Sequence, residues 1–358
     1  MRGKQVRAAA GLLLAVLAAA CGGATAATGG RTGAAGGTAA GEEPVTLRLG
    51  YFPNITHAPA MVGIEDGLFA EALGEQVTLE PVTFNAGPAA IEAMFSEAVD
   101  VTYIGPNPAI NAWAQSQGEA IRIVAGSTSG GAFLVVREGI AGVEDLRGTR
   151  IASPQLGNTQ DVALRSYLAG EGLATDTSGG GDVAVVPQDN AQTLELFATG
   201  GIDGAWVPEP WATRLVQEAG GQVLLDEREL WPDGRYVTTH VLVRSAFLAE
   251  HPEVVSRLLA GHLDAIEAIN DDPEAAQATV NAGIEAITGN SLGEELIVAA
   301  WANLEFTADP IASSLVAGAG HAEAVGLLDP VDLQGMYALD PLNELLADRG
   351  EEPVEGLG

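Results

Sequence analysis

From Val45 onward the chain alternates strand-like and helix-like patterns, does so twice, and then stops making strands. Thr46–Phe52, Val77–Val82, Asp100–Ile104 and Ile121–Ala125 read as strands, with helical periodicity over His57–Phe69, Pro88–Glu97 and Pro106–Gln117 between them. The pattern restarts at Ala132–Arg137. Thr149–Ser153, Asp182–Val186, Gly204–Val207 and Gln222–Leu225 are strand-like, and Thr159–Gly170, Ala191–Thr199 and Pro210–Ala219 are helical. Thr238–Arg244 adds a strand, and Phe247 to Ala347 is nearly all helical pattern punctuated by prolines. Strands alternating with helices of about 10–15 residues imply parallel βαβ units. The expected architecture is α/β in two lobes, with a helical C-terminal tail packing on lobe 1. Lobe 1 is expected over 45–135 and 243–358 and lobe 2 over 136–242, with chain crossings near Phe133–Arg137 and His240–Arg244. Two strand-like crossings make a hinged cleft. Ligands of open α/β sheets sit beyond the carboxyl ends of the strands, so the cleft should be lined by the loops that follow them.

The N-terminus reads as a targeting segment rather than as part of the fold. Arg2, Lys4 and Arg7 form a basic start, and Ala8 to Ala20 is an unbroken apolar run too short to span a bilayer. It ends at Cys21, the only cysteine of the chain, in the setting of a bacterial lipobox, although Ala18 stands where leucine is favoured. Residues 1–20 are therefore expected to be a signal peptide and 21–44 a lipid-anchored Gly/Ala/Thr tether, with the lipid on Cys21. The alternative is a plain secretion signal with an incidental cysteine. Either way the folded part would work on the outer side of a membrane.

Charge narrows the partners. A net charge of −32 excludes general nucleic-acid binding, which needs a basic footprint, and argues against a polybasic membrane patch. A single cysteine cannot make a disulfide framework or a cysteine zinc site. The five histidines are scattered without metal-ligand spacing, and His251, His262 and His321 fall in helical pattern where surface or capping roles are expected. No cofactor motif occurs.

Five loops are candidates for the cleft. Tyr51-Phe52-Pro53-Asn54-Ile55-Thr56-His57 mixes aromatic faces with hydrogen-bonding groups and opens a helix. Gly105-Pro106-Asn107-Pro108 is a stiff turn in which Asn107 both donates and accepts. Gly126 to Gly131 reads as a Gly/Ser loop offering three hydroxyls. Pro154 to Asp161 runs straight into a helix whose start, capped by Asn158 or Thr159, is a ready anion site. Trp206-Val207-Pro208-Glu209-Pro210-Trp211 flanks an acidic turn with two indoles, with Trp206 expected in the cleft and Trp211 in the core. Thr238-Thr239-His240 could also reach the cleft.

Four segments then resemble a known group of proteins: GYFPNITHAPAMVG (50–63), EAVDVTYIGPNPAINAW (97–113), LRGTRIASPQLGNTQDVALRSYL (146–168) and GIDGAWVPEPWATRL (201–215). With the lipoprotein start, they resemble the solute-binding subunits of ABC importers, in the group covering aliphatic sulfonates, taurine and nitrate. The resemblance implies a type 2 periplasmic-binding-protein fold that closes on a ligand and docks on a membrane permease, as a monomer without cofactor. Its ligand loops map onto Tyr51, Asn54, His57, Gly105, Pro106, Asn107, Ser127, Gly157, Asn158, Thr159, Gln160, Trp206 and Glu209. An aliphatic sulfonate or taurine is the expected ligand, with nitrate, bicarbonate or a thiamine-precursor aminopyrimidine as alternatives. Glu209, if turned inward, would suit a ligand carrying an amine. An enzyme on the same hinged fold is the competing class; it would need an ionisable pair in the cleft drawn from His57, Asp161, Glu209 and His240.

Overall fold

The computed structural model describes residues 44–357. The expected signal segment and Cys21, with the tether up to Glu43, lie outside the described residues. The first strand–helix set is β1 (Val45–Tyr51), α1 (Ala58–Glu65), α2 (Leu68–Leu73), β2 (Val77–Thr83), α3 (Gly87–Phe95), β3 (Val101–Ile104), α4 (Pro106–Gln115) and β4 (Ile121–Gly130). The second is β5 (Ala132–Val136), β6 (Arg150–Ser153), α5 (Thr159–Gly170), β7 (Ala184–Pro187), α6 (Asn190–Ala198), β8 (Gly204–Pro208), α7 (Trp211–Ala219) and β9 (Gln222–Asp226). The chain returns through β10 (Val237–Arg244) and continues as α8 (Ser245–Glu250), α9 (Pro252–Asp271), α10 (Pro273–Thr288), α11 (Glu294–Trp301), β11 (Leu304–Phe306), α12 (Ala312–Ala324) and α13 (Asp340–Arg349).

Two sheets result. The first runs β11-β4-β10-β3-β1-β2, with β1 parallel to β2 and β3, and β10 antiparallel between β3 and β4. The second runs β7-β6-β8-β5-β9, with β6 parallel to β7 and β8, and β5 antiparallel to β8 and β9. The central strands of each sheet are buried on both faces, because helices cover both. Along β5 the side chains alternate between two cores: Phe133 and Val135 join Phe197 and Leu215, while Leu134 and Val136 join Leu164 and Trp206. In the first lobe, Leu47 and Leu49 pack with Phe69 and Leu258 on one face, and Ile104 and Leu242 pack with Ile110 and Trp113 on the other.

The ladders move the expected crossings. β5 belongs to the second sheet and β10 to the first, so the chain changes sheets at Gly130–Gly131 and again between Asp226 and Val237, not at 135 and 242. The first change turns on two consecutive glycines with φ of 80° and 73°, a conformation that side chains rarely adopt. The expected Gly/Ser loop after Ala125 is strand as well: β4 continues to Gly130, paired with β10 and β11. Gly126 is needed there for close backbone approach, because a Cβ would lie 2.1 Å from the Asp309 carbonyl oxygen.

The tail covers the first lobe, with α9 packed on α1 and α2. It also supplies the edge strand β11, which is too short to leave a pattern, and it touches the second lobe through α11 on α7 and α12 on α5. His262, in α9, is fully buried rather than on the surface: its Nδ1 is 2.8 Å from the Tyr103 hydroxyl and its Nε2 2.8 Å from the Gly126 carbonyl.

Candidate ligand-binding site

The loops after β1, β2, β3, β6 and β7 converge on one small space between the two lobes. Asn54, Thr56, His57, Asn85, Ala86 and Gly105 line it from the first lobe. Pro154, Asn158, Thr159, Gln160, Asn190 and Pro208 line it from the second. Thr238 and Thr239 of β10 and Phe52 complete the wall. The space offers the centre of a water molecule about 30 Å³, which is room for roughly two waters at ~10–15 Å³ each.

No Lys, Arg, Asp or Glu lines this chamber among the described residues. His57 is its one titratable side chain. Burial pushes the imidazole pKa down to about 3, so the ring is neutral at pH 7. Its Nδ1 accepts from the Phe52 amide at 3.4 Å, which leaves the proton on Nε2.

The polarity of the chamber comes from elsewhere. Ala86, Gly105 and Asn158 are the N-cap residues of α3, α4 and α5, and Asn190 begins α6. Four helix N-termini therefore face one small volume, each carrying partial positive charge. Three buried polar atoms at the chamber have no partner among the described residues: Thr159 Oγ1, Asn190 Oδ1 and Thr239 Oγ1. A buried polar group costs free energy until something bonds it.

The start of α5 is held firmly. Asn158 Oδ1 accepts from the Gln160 amide at 3.0 Å and caps the helix. Behind it, the fully buried Asp161 accepts from the Gly157 amide at 3.0 Å, Ser153 Oγ at 2.7 Å and Arg165 Nε at 3.1 Å. Gly157 takes φ of 74°, which lets the loop double back onto that carboxylate. Asp161 is thus a support for the helix start and does not line the chamber.

Three hydrogen bonds clamp the lobes together around the chamber. Trp211 Nε1 donates to Asn54 Oδ1 at 2.9 Å, Asn303 Nδ2 to Glu209 Oε1 at 2.8 Å, and Asn111 Nδ2 to the Gly157 carbonyl at 3.5 Å. Packing is equally close: a Cβ on Gly105 would meet Thr159 Oγ1 at 2.4 Å.

Of the residues singled out from the sequence, Asn54, His57, Gly105, Asn158, Thr159 and Gln160 come together at the chamber. The others do not. Tyr51 is in the core of the first lobe. Pro106 and Asn107 line a separate small space, and Asn107 Nδ2 donates to the Gly318 carbonyl. Ser127 is fully buried within β4.

The two tryptophans exchange the places expected of them. Trp206 is fully buried in the second lobe with Nε1 on Glu227 Oε2 at 2.8 Å, because position 206 falls on the core face of β8. Trp211 is the one at the lobe junction. Glu209 turns away from the chamber to accept from Thr213 and Asn303, and burial raises its pKa to about 7. The argument for an amine at Glu209 therefore lapses. Asn85 and Asn190 went unread in the sequence, although Asn85 lies in the loop after β2 and Asn190 opens the helix just after β7, where the carboxyl-end rule directs attention.

A family model described as the NMT1-like family matches residues 40–284. The chain belongs to the NMT1-like family. Among proteins similar to this NMT1-like chain is the taurine-binding periplasmic protein of Escherichia coli (strain K12), 29% identical over 216 residues, which are 60% of this chain and 64% of that protein. Relatives from Brucella abortus are 28% identical over 178 residues, 49% of this chain and 53% of theirs. The chain thus spans about half to two thirds of the length of these curated relatives. In three dimensions it resembles the alkanesulfonate-binding protein SsuA from Xanthomonas axonopodis pv. citri bound to MOPS, with TM-score 0.65 and 20% identity over 80% of this chain and 96% of that one. It also resembles the periplasmic nitrate-binding protein NrtA from Synechocystis PCC 6803, with TM-score 0.69 and 15% identity over 86% and 89%. These likenesses show the periplasmic-binding-protein fold.

Proposed function

We propose that this NMT1-like protein is the solute-binding subunit of an ABC importer. On this reading it captures a small organic anion, an aliphatic sulfonate or taurine, by lobe closure and delivers it to a membrane permease. The carrying observation is the chamber itself: four helix N-termini and two unpartnered buried hydroxyls, Thr159 Oγ1 and Thr239 Oγ1, around a space with no charged side chain among the described residues. An anion suits both features, since the dipoles favour negative charge and an oxyanion accepts from the Thr159 and Thr239 hydroxyls, while Asn190 Oδ1, an acceptor, is left for a donor on the ligand or a water. Lobe closure removes competing water and lowers the dielectric around those contacts.

The lining supports binding rather than catalysis. Acid–base chemistry needs a matched pair, and His57 is the lone titratable group at the chamber among the described residues. On this reading the protein acts as a monomer at the outer face of the membrane, held by a lipid on Cys21. Its permease and ligand are proposed from the relatives, which include the taurine-binding protein. The small volume favours a second reading within the same class, a compact anion such as nitrate or bicarbonate enclosed whole.

The test is thermal unfolding of the protein against ethanesulfonate, taurine, longer alkanesulfonates, nitrate, bicarbonate and an aminopyrimidine. A ligand at ~100 times its Kd adds about 2.7 kcal/mol of stability. A shift with sulfonates or taurine supports the main reading. A shift with nitrate or bicarbonate alone moves the assignment to the second, and no shift with any anion sinks both.

A further inference from the structure

Thr159, Ala163, Tyr167 and Gly170 recur at three- or four-residue spacing along one face of α5, with Ser166 beside them. Two further spaces follow that face away from the polar chamber. The first is small, about 20 Å³ for a water centre, and begins at Thr159, which lines the chamber too. The second is about 290 Å³ on the same measure, opens to solvent, and continues past Tyr167 to Gly170 and Glu171. They share Ala163, Glu227, Trp231 and His321. Together the two spaces lie along the length of α5, about 16 Å at ~1.5 Å per residue.

Their chemistry is opposite to that of the chamber. Glu227 is buried at 2% exposure in their wall. The carboxyl accepts from Trp206 Nε1 at 2.8 Å and Trp231 Nε1 at 3.3 Å. No Arg, Lys or His pairs with it among the described residues. Burial raises the Glu227 pKa to about 7, so near neutral pH the group is divided between acid and carboxylate; as a carboxylate it accepts about four hydrogen bonds, and two indoles leave it with capacity to spare. Trp231 stacks on Tyr236 with ring centroids 5.4 Å apart and lies 5.5 Å from His321. Burial lowers the His321 pKa, which keeps that ring free of positive charge. Glu171 stands at the mouth, beside the negative end of the α5 dipole.

We propose that this compartment binds an organic ammonium group, with Glu227 as its counter-ion and Tyr167 and Trp231 as its walls. Aromatic faces with a desolvated carboxylate recognise a cation through cation–π attraction and a charge-assisted bond. The inference goes beyond the anion reading and does not depend on it. The ammonium group has two sources: a separate amine, or the far end of an anion whose head lies in the chamber, since Thr159 borders both spaces.

Calorimetric titration of the full chain with n-butylammonium, ethanesulfonate and 4-aminobutanesulfonate tests this. Butylammonium should bind, and Glu227→Gln should weaken it roughly tenfold or more while changing ethanesulfonate affinity less than about twofold. Tyr167→Ala, at the rim of the compartment, should weaken butylammonium severalfold and carries the test should Glu227→Gln fail to fold. An aminosulfonate that binds more tightly than either simple probe, with the gain lost in Glu227→Gln, identifies one molecule spanning both spaces; equal affinity with ethanesulfonate assigns the compartment to a separate amine. Butylammonium that does not bind, or binds both variants as it binds the native chain, overturns the proposal. Failure of ethanesulfonate alone would instead count against the anion reading.

Discussion

Replacing Thr159 by valine should move stability and affinity in opposite directions. In the closed protein Thr159 Oγ1 is buried, faces the chamber and has no partner among the described residues. Leaving such a hydroxyl unbonded costs about 1–3 kcal/mol. Valine keeps the shape and removes the polar atom. The new methyl packs toward Gly105, where the fit is already close. We therefore take the low end, a gain of about 1 kcal/mol, or ~2 °C in Tm for a chain of this size. With the anion bound the balance reverses, because a hydrogen bond to a charged group contributes about 1.5–3 kcal/mol. The Kd should rise at least roughly tenfold. At a ligand concentration near 100 times the native Kd, stabilisation should fall from about 2.7 to about 1.4 kcal/mol. Scanning calorimetry with and without ethanesulfonate measures both effects, and Thr159→Ser, which keeps the hydroxyl, should retain the full ligand shift. A valine variant that is less stable when free yet keeps the full shift would mean that Thr159 Oγ1 is neither an uncompensated group in the free protein nor a contact to the ligand.

Other consequences follow from the same geometry. Burial holds the His57 pKa at about 3, below its usual 6.5. The unfolded chain therefore binds a proton that the folded chain refuses, and stability is lost as pH falls through that window. His57→Gln should flatten the decline by up to about 1.4 kcal/mol per pH unit, read from urea unfolding at several pH values between neutrality and about pH 5; equal slopes would remove His57 from the account. Asp161→Ala strands Arg165, which is 2% exposed, and should cost about 3–5 kcal/mol in chemical denaturation; a loss under about 1 kcal/mol would mean the pair does not hold the helix start. Trp211→Phe deletes the cross-lobe bond to Asn54 and leaves the chamber lining intact. It should weaken anion binding about fivefold, from a bond contributing ~1 kcal/mol, with the change in the dissociation rate; an unchanged rate would show that this bond does not hold the lobes closed.

The parts of this molecule that could be read from the sequence are those where local pattern and tertiary role coincide. Strand–helix alternation located nearly every element of both sheets, because βαβ units write their period into the chain. The start of α5 was legible for the same reason: a glycine, a capping Asn and a helix pattern follow a strand directly. Side-chain direction in a strand buried on both faces was not, since alternation disappears when both sides are apolar. Hence Trp206 and Trp211 were assigned to each other's places. Ser127 failed for a different reason. Its glycine neighbours look like a flexible loop, yet they serve close packing, with Gly126 against Asp309 of the distant tail. Asn190 is a single polar residue at the first position of α6, and only the topology makes it part of a site.

The position of β10 sets an order of events on the ribosome. It lies in the middle of the first sheet, between β3 and β4, yet it begins at Val237, more than a hundred residues after β4 ends at Gly130. Until it emerges, β3 and β4 have no strand to share, and the sheet that begins at the N-terminus stays split. The second sheet, in contrast, is complete within Ala132–Asp226. Domains made of contiguous chain fold as units during synthesis, while long-range pairings wait for their partners. The lobe encoded second is thus the first that can finish, and the lobe encoded first completes its sheet afterwards.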